Sequence, residues 1–212
     1  MAATDEIRHP LFARLYERAS VKEDERGASR FRDELLDGAS GRAIEVGAGN
    51  GLNFAHYPAS VSHVLAVEPE PRLRAGAARA AATAPVPIEV VAGVADRVPA
   101  EDGAFDVGVA SLVLCSVPDQ DAALAELRRV IRPGGELRFY EHVVSRRRRV
   151  AAIERALDAT IYPPLFGGCH LARDTLGAIQ RGGFRIETSR RFGWGPSAAV
   201  QIAHVVGVAR RL

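Results

Sequence analysis

Short apolar runs and amphipathic stretches take turns along the chain. Residues 10–37 read as two helices or one broken helix, with Leu11, Phe12, Leu15 and Tyr16 on one face and Phe31, Leu35 and Leu36 on another. Gly38-Ala39-Ser40-Gly41 ends that segment. The pattern then predicts strand 42–47, helix 51–56, strand 62–68, helix 70–82, strand 87–92 and a buried run from Phe105 to Leu114. Asp119 precedes a helix over 120–131, where its carboxylate can accept from amides of the first turn. Arg132-Pro133-Gly134-Gly135 stops that helix and turns into strand 136–144. Helix 147–160, an irregular Pro-Pro/Gly-Gly loop, helix 172–181 and strands 183–191 and 199–209 complete the order.

Alternating strands and helices imply an α/β protein, with a mostly parallel sheet and helices on both faces. The last two strands are joined by Gly193-Trp194-Gly195-Pro196, too short for a crossover helix. They must pair as an antiparallel hairpin at the sheet edge.

The first strand ends in Glu45-Val46-Gly47-Ala48-Gly49-Asn50-Gly51-Leu52, and the second ends in Val67-Glu68. A glycine turn after a buried strand lets backbone approach a ligand closely, since no Cβ intervenes. A carboxylate at the next strand end is placed to accept from two ribose hydroxyls. Packing alone also explains a glycine turn, but it does not explain Glu68. A dinucleotide site would want glycine at position 52, which is Leu52 here. The spacing therefore favours S-adenosylmethionine over NAD.

Composition narrows the picture little further. The 212 residues, 47% of them hydrophobic, suffice for one α/β core and are short for two domains. A formal charge of +2 offers no global field for nucleic acid. Lys22 is the only lysine, and with the abundant alanine this reads as coding bias. Arg146–Arg149 open a helix against its dipole, either facing an anionic partner or simply solvated. Cys115 and Cys169 lie far apart in sequence and make no metal-ligand pair; Cys115 reads as a small buried hydrophobe. A polar start over 1–10 and the lack of a long apolar run predict a cytoplasmic protein without a membrane span.

Glu45–Gly51, Glu68, Asp102–Asp106 and Leu127–Gly135 together resemble the class I S-adenosylmethionine-dependent methyltransferases, in order, spacing and element type over residues 40–145. The resemblance implies a Rossmann-like fold with a seven-stranded sheet whose last strand is antiparallel. Ser111–Val117, Glu141-His142-Val143 and Leu165–Arg173 are similar to the methyltransferase-like 7 group, the alkyl thiol S-methyltransferases. Membrane-bound members of that group carry an N-terminal hydrophobic anchor, which the polar start here does not match. Ubiquinone and menaquinone C-methyltransferases share the core motifs but match the 160–173 loop less well.

The expected layout is one methyltransferase domain over 1–212: an N-terminal helical lid (1–40), a cofactor-binding core (41–145), and an acceptor-side segment with the terminal hairpin (146–212). Gly47, Gly49 and Gly51 should pass under the methionyl part of the cofactor, with Glu45 holding its amino group through water. Asn50 and Asn53 donate to its carboxylate or cap the following helix. Glu68 takes the ribose and Pro69 stacks near adenine. Relatives place an acid two residues into the loop after strand three; Val94 stands there, so backbone groups are expected to hold the adenine, with Asp96 a weaker candidate. Leu112 and Val113 lie beside the sulfonium or pack in the core.

His142, at the carboxyl end of strand five, is the candidate base, and His170 a weaker one. Phe12, Tyr16, Tyr162, Phe166, Cys169 and His170 are expected to line the acceptor side. The expected reaction moves methyl from S-adenosylmethionine to a small thiol or dithiol, a natural product or xenobiotic, leaving S-adenosylhomocysteine and using no metal. Alternatives are O-methylation of a phenol, C-methylation of a quinone, or a non-catalytic S-adenosylmethionine-binding module. No nucleic-acid partner is expected, and monomer and homodimer both stay open.

Overall fold

The computed structural model describes residues 9–195, 197 and 201–212. Helix α1 (Pro10–Glu23) runs through a π-type turn (Asp24–Ala28) into α2 (Ser29–Leu36), and the break falls at Gly27, where φ is +103°. The expected apolar face of α1 is divided. Phe12 and Tyr16 are half-buried, whereas Leu11 and Leu15 remain 76% and 68% exposed. Only part of α1 meets the protein, so its hydrophobic period overstates its burial.

Seven strands form one sheet: β1 (Gly41–Val46), β2 (Val61–Val67), β3 (Ile88–Val91), β4 (Phe105–Ser111), β5 (Ile131–His142), β6 (Phe184–Trp194) and β7 (Ile202–Arg211), in the spatial order β3-β2-β1-β4-β5-β7-β6. The first five are parallel; β7 runs antiparallel to β5 and β6 as a hairpin requires, with Gly193 and Trp194, expected in the connection, paired within β6. The expected start of that last strand at Ala199 lies outside the described residues.

Helices α3 (Pro71–Ala81), α4 (Gln120–Val130), α5 (Arg148–Asp158), α6 (Tyr162–Leu165) and α7 (Thr175–Arg181) complete the chain. Asp119 caps α4, accepting from the amide of Ala122 at 2.9 Å. Residues of β1 alternate between two cores: Ile44 and Val46 pack with Leu124 and Leu127 of α4, and Ala43 with Phe31 and Leu35 of α2. Burial on both faces is why the parallel strands read as continuous apolar runs.

Several boundaries differ from expectation. β5 begins at Ile131, not 136, because Ile131 already pairs with Phe105 before the glycines make a register shift. The expected helix 51–56 shrinks to a 3-10 turn, Phe54–His56. Its first residues are held elsewhere: Gly51 has φ +82°, and the Asn53 side chain is drawn under the turn. Strand order reverses between β1 and β4, and at such a switch point the carboxyl ends of the strands open a crevice.

Candidate functional site

Three strand ends build one side of that crevice. After β1 the chain turns through Gly47, Gly49 and Gly51, with φ of +63°, +58° and +82°. A Cβ on Gly47 would strike Val113, and one on Gly51 would come within 2.8 Å of Ala80. Gly49 differs. The nearest atom to a Cβ there is Tyr16 Cε1 of α1, at 3.4 Å. Two of the glycines are thus needed by the protein's own packing, and Gly49 is the one facing the space beneath α1.

Glu68, at the end of β2, is buried and accepts from the amides of Gly49 (2.8 Å) and Glu70 (2.9 Å). Burial pushes its carboxyl above the ordinary carboxylate range, against those two hydrogen bonds. Each oxygen keeps a further lone pair, so the carboxylate can accept from two more donors. Pro69 is half-buried beside it, and its carbonyl accepts from Arg74. Val94, in the loop after β3, pairs with Arg97 through a backbone bridge, and Asp96 is exposed.

Glu45 and Asn53 are placed differently from the expectation. Glu45, only 1% exposed, accepts from the Asn53 amide and the Tyr57 hydroxyl, both at 2.8 Å. Asn53 in turn accepts from Arg32 at 2.7 Å, and Arg32 donates to Asp24 at 2.8 Å. This buried chain ties α2 and the π-type turn to the floor of the glycine turn. Both side chains are engaged with partners inside the protein, and Asn53 makes no side-chain cap bond. Asn50 reaches the Ser20 hydroxyl of α1 at 3.4 Å instead.

Desolvation raises the Glu45 carboxyl from its ordinary 4.5 to about 7. With the folded value above the unfolded one, the native state binds the extra proton. Stability carried by this group is therefore present at low pH and lost as pH rises between 4.5 and about 7. Wild type should lose about 1–3 kcal/mol relative to Glu45→Gln across that window. Denaturant melts of both proteins at several pH values measure the difference; parallel curves would show Glu45 ionised throughout.

On the far side of the crevice, Leu112 follows β4 with φ +56°, a conformation costing about 1–3 kcal/mol for a residue with a Cβ. It ends the strand three residues before the expected Leu114. Glu141 holds the loop that follows: fully buried, it accepts from the amides of Val113 (3.1 Å), Leu114 (2.9 Å) and Cys115 (3.0 Å). Nothing in the sequence assigned Glu141 this role, although it stands beside His142 at the end of a buried strand.

His142 points Nδ1 at Cys169 Sγ (3.1 Å) and at Cys115 Sγ (3.5 Å), and the two sulfurs are 3.7 Å apart. The two cysteines, far apart in sequence, are therefore neighbours in space. The fold brings together residues 54 apart through contacts that spacing does not reveal. The amide of His170 donates to the Cys115 carbonyl (2.8 Å), and Arg173 donates to the carbonyls of Leu114 (2.7 Å) and Val117 (2.8 Å). Gly168, with φ +86°, allows a backbone approach that a Cβ, 2.8 Å from the Ser116 oxygen, would prevent. The hydrogen bond with Cys115, and then the His142 imidazole, draw the Cys169 thiol down while the Cys115 thiol is pushed up. His204 packs under His142 at 4.5 Å between ring centroids, and burial lowers it to about 3, so it stays neutral.

The His170 ring faces Asp158 at 3.6 Å, and Asp158 also accepts from the amides of Leu171 and Ala172. Tyr162 and Phe166 stack at 4.3 Å, with Phe166 half-exposed. Phe12 lies against Gly167 and 5.7 Å from the Tyr16 ring, so α1 spans from the glycine turn to the 166–169 loop. Arg72 of α3 anchors it through Glu17 at 2.7 Å, a partly exposed pair worth about 0–1 kcal/mol. The 420 Å³ depression lined by Arg128, Arg129 and Arg211 sits at the opposite, amino end of β4 and contains none of these residues.

A parallel sheet with an antiparallel β7, a glycine turn after β1 and a carboxylate after β2 define a class I methyltransferase. Residues 44–139 match the family described as a methyltransferase domain. A S-adenosylmethionine-dependent methyltransferase from Methanosarcina mazei superposes with a TM-score of 0.64 at 20% identity, over 81% of this chain and 92% of its own. The chain belongs to the class I S-adenosylmethionine-dependent methyltransferases.

Within that class it is 33% identical to the human thiol S-methyltransferase TMT1A, over 79% of this chain and 72% of the relative. It is 36% identical to mouse thiol S-methyltransferase TMT1B, over 82% and 72%. No helix of the described residues is long and apolar enough to cross a membrane.

Proposed function

We propose that the protein methylates a small thiol or dithiol. The observation that carries this reading is the likeness to TMT1A and TMT1B, which extends beyond the donor-binding core. S-adenosylmethionine, when bound, supplies a methyl group on an already activated sulfonium. The chain's own part is then alignment and exclusion of water. Residues 41–145 hold the donor, with Gly47, Gly49 and Gly51 beneath it, Glu68 on the ribose, Pro69 and the backbone around Val94 at the adenine, and Leu112 and Val113 beside the sulfur. Residues 1–40 cover it as a lid. Residues 146–212 supply the acceptor wall, with Tyr162 and Phe166 stacked on each other beside Gly167, against which Phe12 lies.

The residues of the crevice would hold the donor so that its methyl group meets the acceptor sulfur, and the new C–S bond would form as the old one breaks, its electron pair leaving with S-adenosylhomocysteine. A thiol with pKa near about 8.5 is partly thiolate at neutral pH, so little base catalysis is needed. That suits a site whose nearby carboxylates, Glu141 and Asp158, are committed to backbone amides. His142 turns Nδ1 to the protein's own sulfurs, and we assign it to the acceptor side without the role of proton acceptor.

A screen of thiols, phenols and amines for release of S-adenosylhomocysteine tests the reading. Turnover confined to phenols or amines would replace it, and absence of turnover in a protein that binds S-adenosylmethionine would favour the binding-module alternative. Phe166→Ala and Tyr162→Ala should change the order of acceptors at least about tenfold, or roughly 1.4 kcal/mol, with donor affinity nearly constant. Equal losses on donor and acceptor would place this pair outside the acceptor wall.

A further inference from the structure

Cys115, His142 and Cys169 arrive from three separate segments and direct Sγ, Nδ1 and Sγ at one another, all within 4.8 Å. A tetrahedral ion with Zn–S of about 2.3 Å and Zn–N of about 2.0–2.1 Å spaces its sulfurs about 3.8 Å apart and sulfur from nitrogen about 3.5 Å. The observed separations are 3.7 Å between sulfurs, and 3.5 Å and 3.1 Å between nitrogen and sulfur. Three donor atoms therefore already stand near the corners of one tetrahedral face.

The backbone, not side-chain rotation alone, sets this arrangement. Glu141 clamps the Cys115 amide, His170 donates to the Cys115 carbonyl, Arg173 ties two further carbonyls of the same loop, and Gly168 admits the close approach. Outer contacts of this kind fix ligand direction in metal sites. Two sulfurs and one imidazole suit a borderline-soft divalent ion, and three protein ligands are the number that leaves a position for another molecule. Cys115 is two residues beyond Val113, whose side chain abuts Gly47, so the cluster lies close to the glycine turn.

We propose that Cys115, Cys169 and His142 form a three-ligand site for a zinc-class divalent cation, with the fourth position open to the thiolate of the acceptor. The ion part stands on the geometry above; the acceptor part rests on the thiol reading. Coordination deprotonates a thiol outright, its proton passing to solvent, and holds the sulfur in a fixed direction for attack. The acceptor then arrives as a thiolate at pH values where a free alkyl thiol is mostly protonated.

Cobalt is the probe. Full-length protein, reduced with a phosphine and stripped with a chelator, is titrated anaerobically with Co²⁺ and then Zn²⁺. We expect one Co²⁺ per chain, intense visible bands of a tetrahedral ion, thiolate-to-cobalt charge transfer in the near ultraviolet, and displacement by Zn²⁺. Cys115→Ser and Cys169→Ser should each weaken binding by more than the roughly 10–100-fold that loss of an outer contact costs. His142→Ala should shift the visible bands. X-ray absorption on the zinc-loaded wild type should show two sulfurs and one imidazole, which decides the matter even where a serine variant does not fold.

Weak octahedral bands, no stoichiometric binding, or tetrahedral bands that survive both serine variants would overturn the site. Adding an alkyl thiol should strengthen the charge-transfer band, and an unchanged spectrum would remove the acceptor from the fourth position. Thiol methylation by a protein that binds no metal would keep the proposed function and discard this site. A three-ligand spectrum in a protein that methylates no thiol would keep the site and discard that function.

Discussion

Gly49→Val is expected to weaken S-adenosylmethionine binding at least about a hundredfold, or roughly 2.7 kcal/mol, while the protein still folds. The reason is the difference among the three glycines of the turn. A side chain at Gly47 or Gly51 runs into Val113 or Ala80 and is opposed by the protein itself. At Gly49 only the Tyr16 ring stands near, at 3.4 Å, so the new atoms enter the space proposed for the donor. Positive φ adds about 1–3 kcal/mol of strain, which lowers Tm by about 2–4 °C per kcal/mol in a domain of this size. Calorimetry and thermal melts separate the two effects. Gly47→Val should show the reverse balance, with a larger loss of Tm. If Gly49→Val binds as wild type does, the donor does not cross this turn.

The second large effect is at Glu68. Glu68→Ala should weaken S-adenosylmethionine binding by about 1.5–3 kcal/mol, the worth of hydrogen bonds to a charged group. It should also destabilise the unliganded protein by about 1–3 kcal/mol, because the amides of Gly49 and Glu70 lose their acceptor. Glu68→Gln keeps an oxygen for one of those amides and should fall between. Calorimetry showing unchanged affinity in folded Glu68→Ala would take Glu68 away from the ribose. Loss of affinity with unchanged stability would mean the turn holds its shape without those two bonds.

Most of the scaffold was legible because it depends on local patterns. Apolar runs marked all seven strands, Asp119 announced the start of α4, and a connection too short for a helix forced the antiparallel β7. Glu68 was legible too, since a carboxylate leaving a buried strand needs partners, and the structure supplies two amides. What was missed depends on residues far away in sequence. Asn53 read in part as a helix cap, but it makes no cap bond: Glu45 and Arg32 hold both ends of its amide, and the helix around it is reduced to one short turn. Leu11 and Leu15 have a helical period, but nothing in the described fold covers them.

The cysteines show the same limit more sharply. Their separation in sequence argued against a pair, while the contacts that join them belong to Glu141, His170, Arg173 and Gly168. None of these carries a local signal for proximity to Cys115. The cluster becomes visible only once two loops are seen to share hydrogen bonds.

Transfer of methyl to sulfur is the central claim, and isotopic product analysis tests it most directly. The protein is incubated with S-adenosylmethionine carrying a deuterated methyl group and a matched thiol and phenol of the same carbon skeleton, and products are read by mass spectrometry. The account predicts labelled methyl thioether, formed in step with S-adenosylhomocysteine and in excess over any labelled methyl ether. Labelled methyl ether without thioether would contradict it and assign the protein to O-methylation.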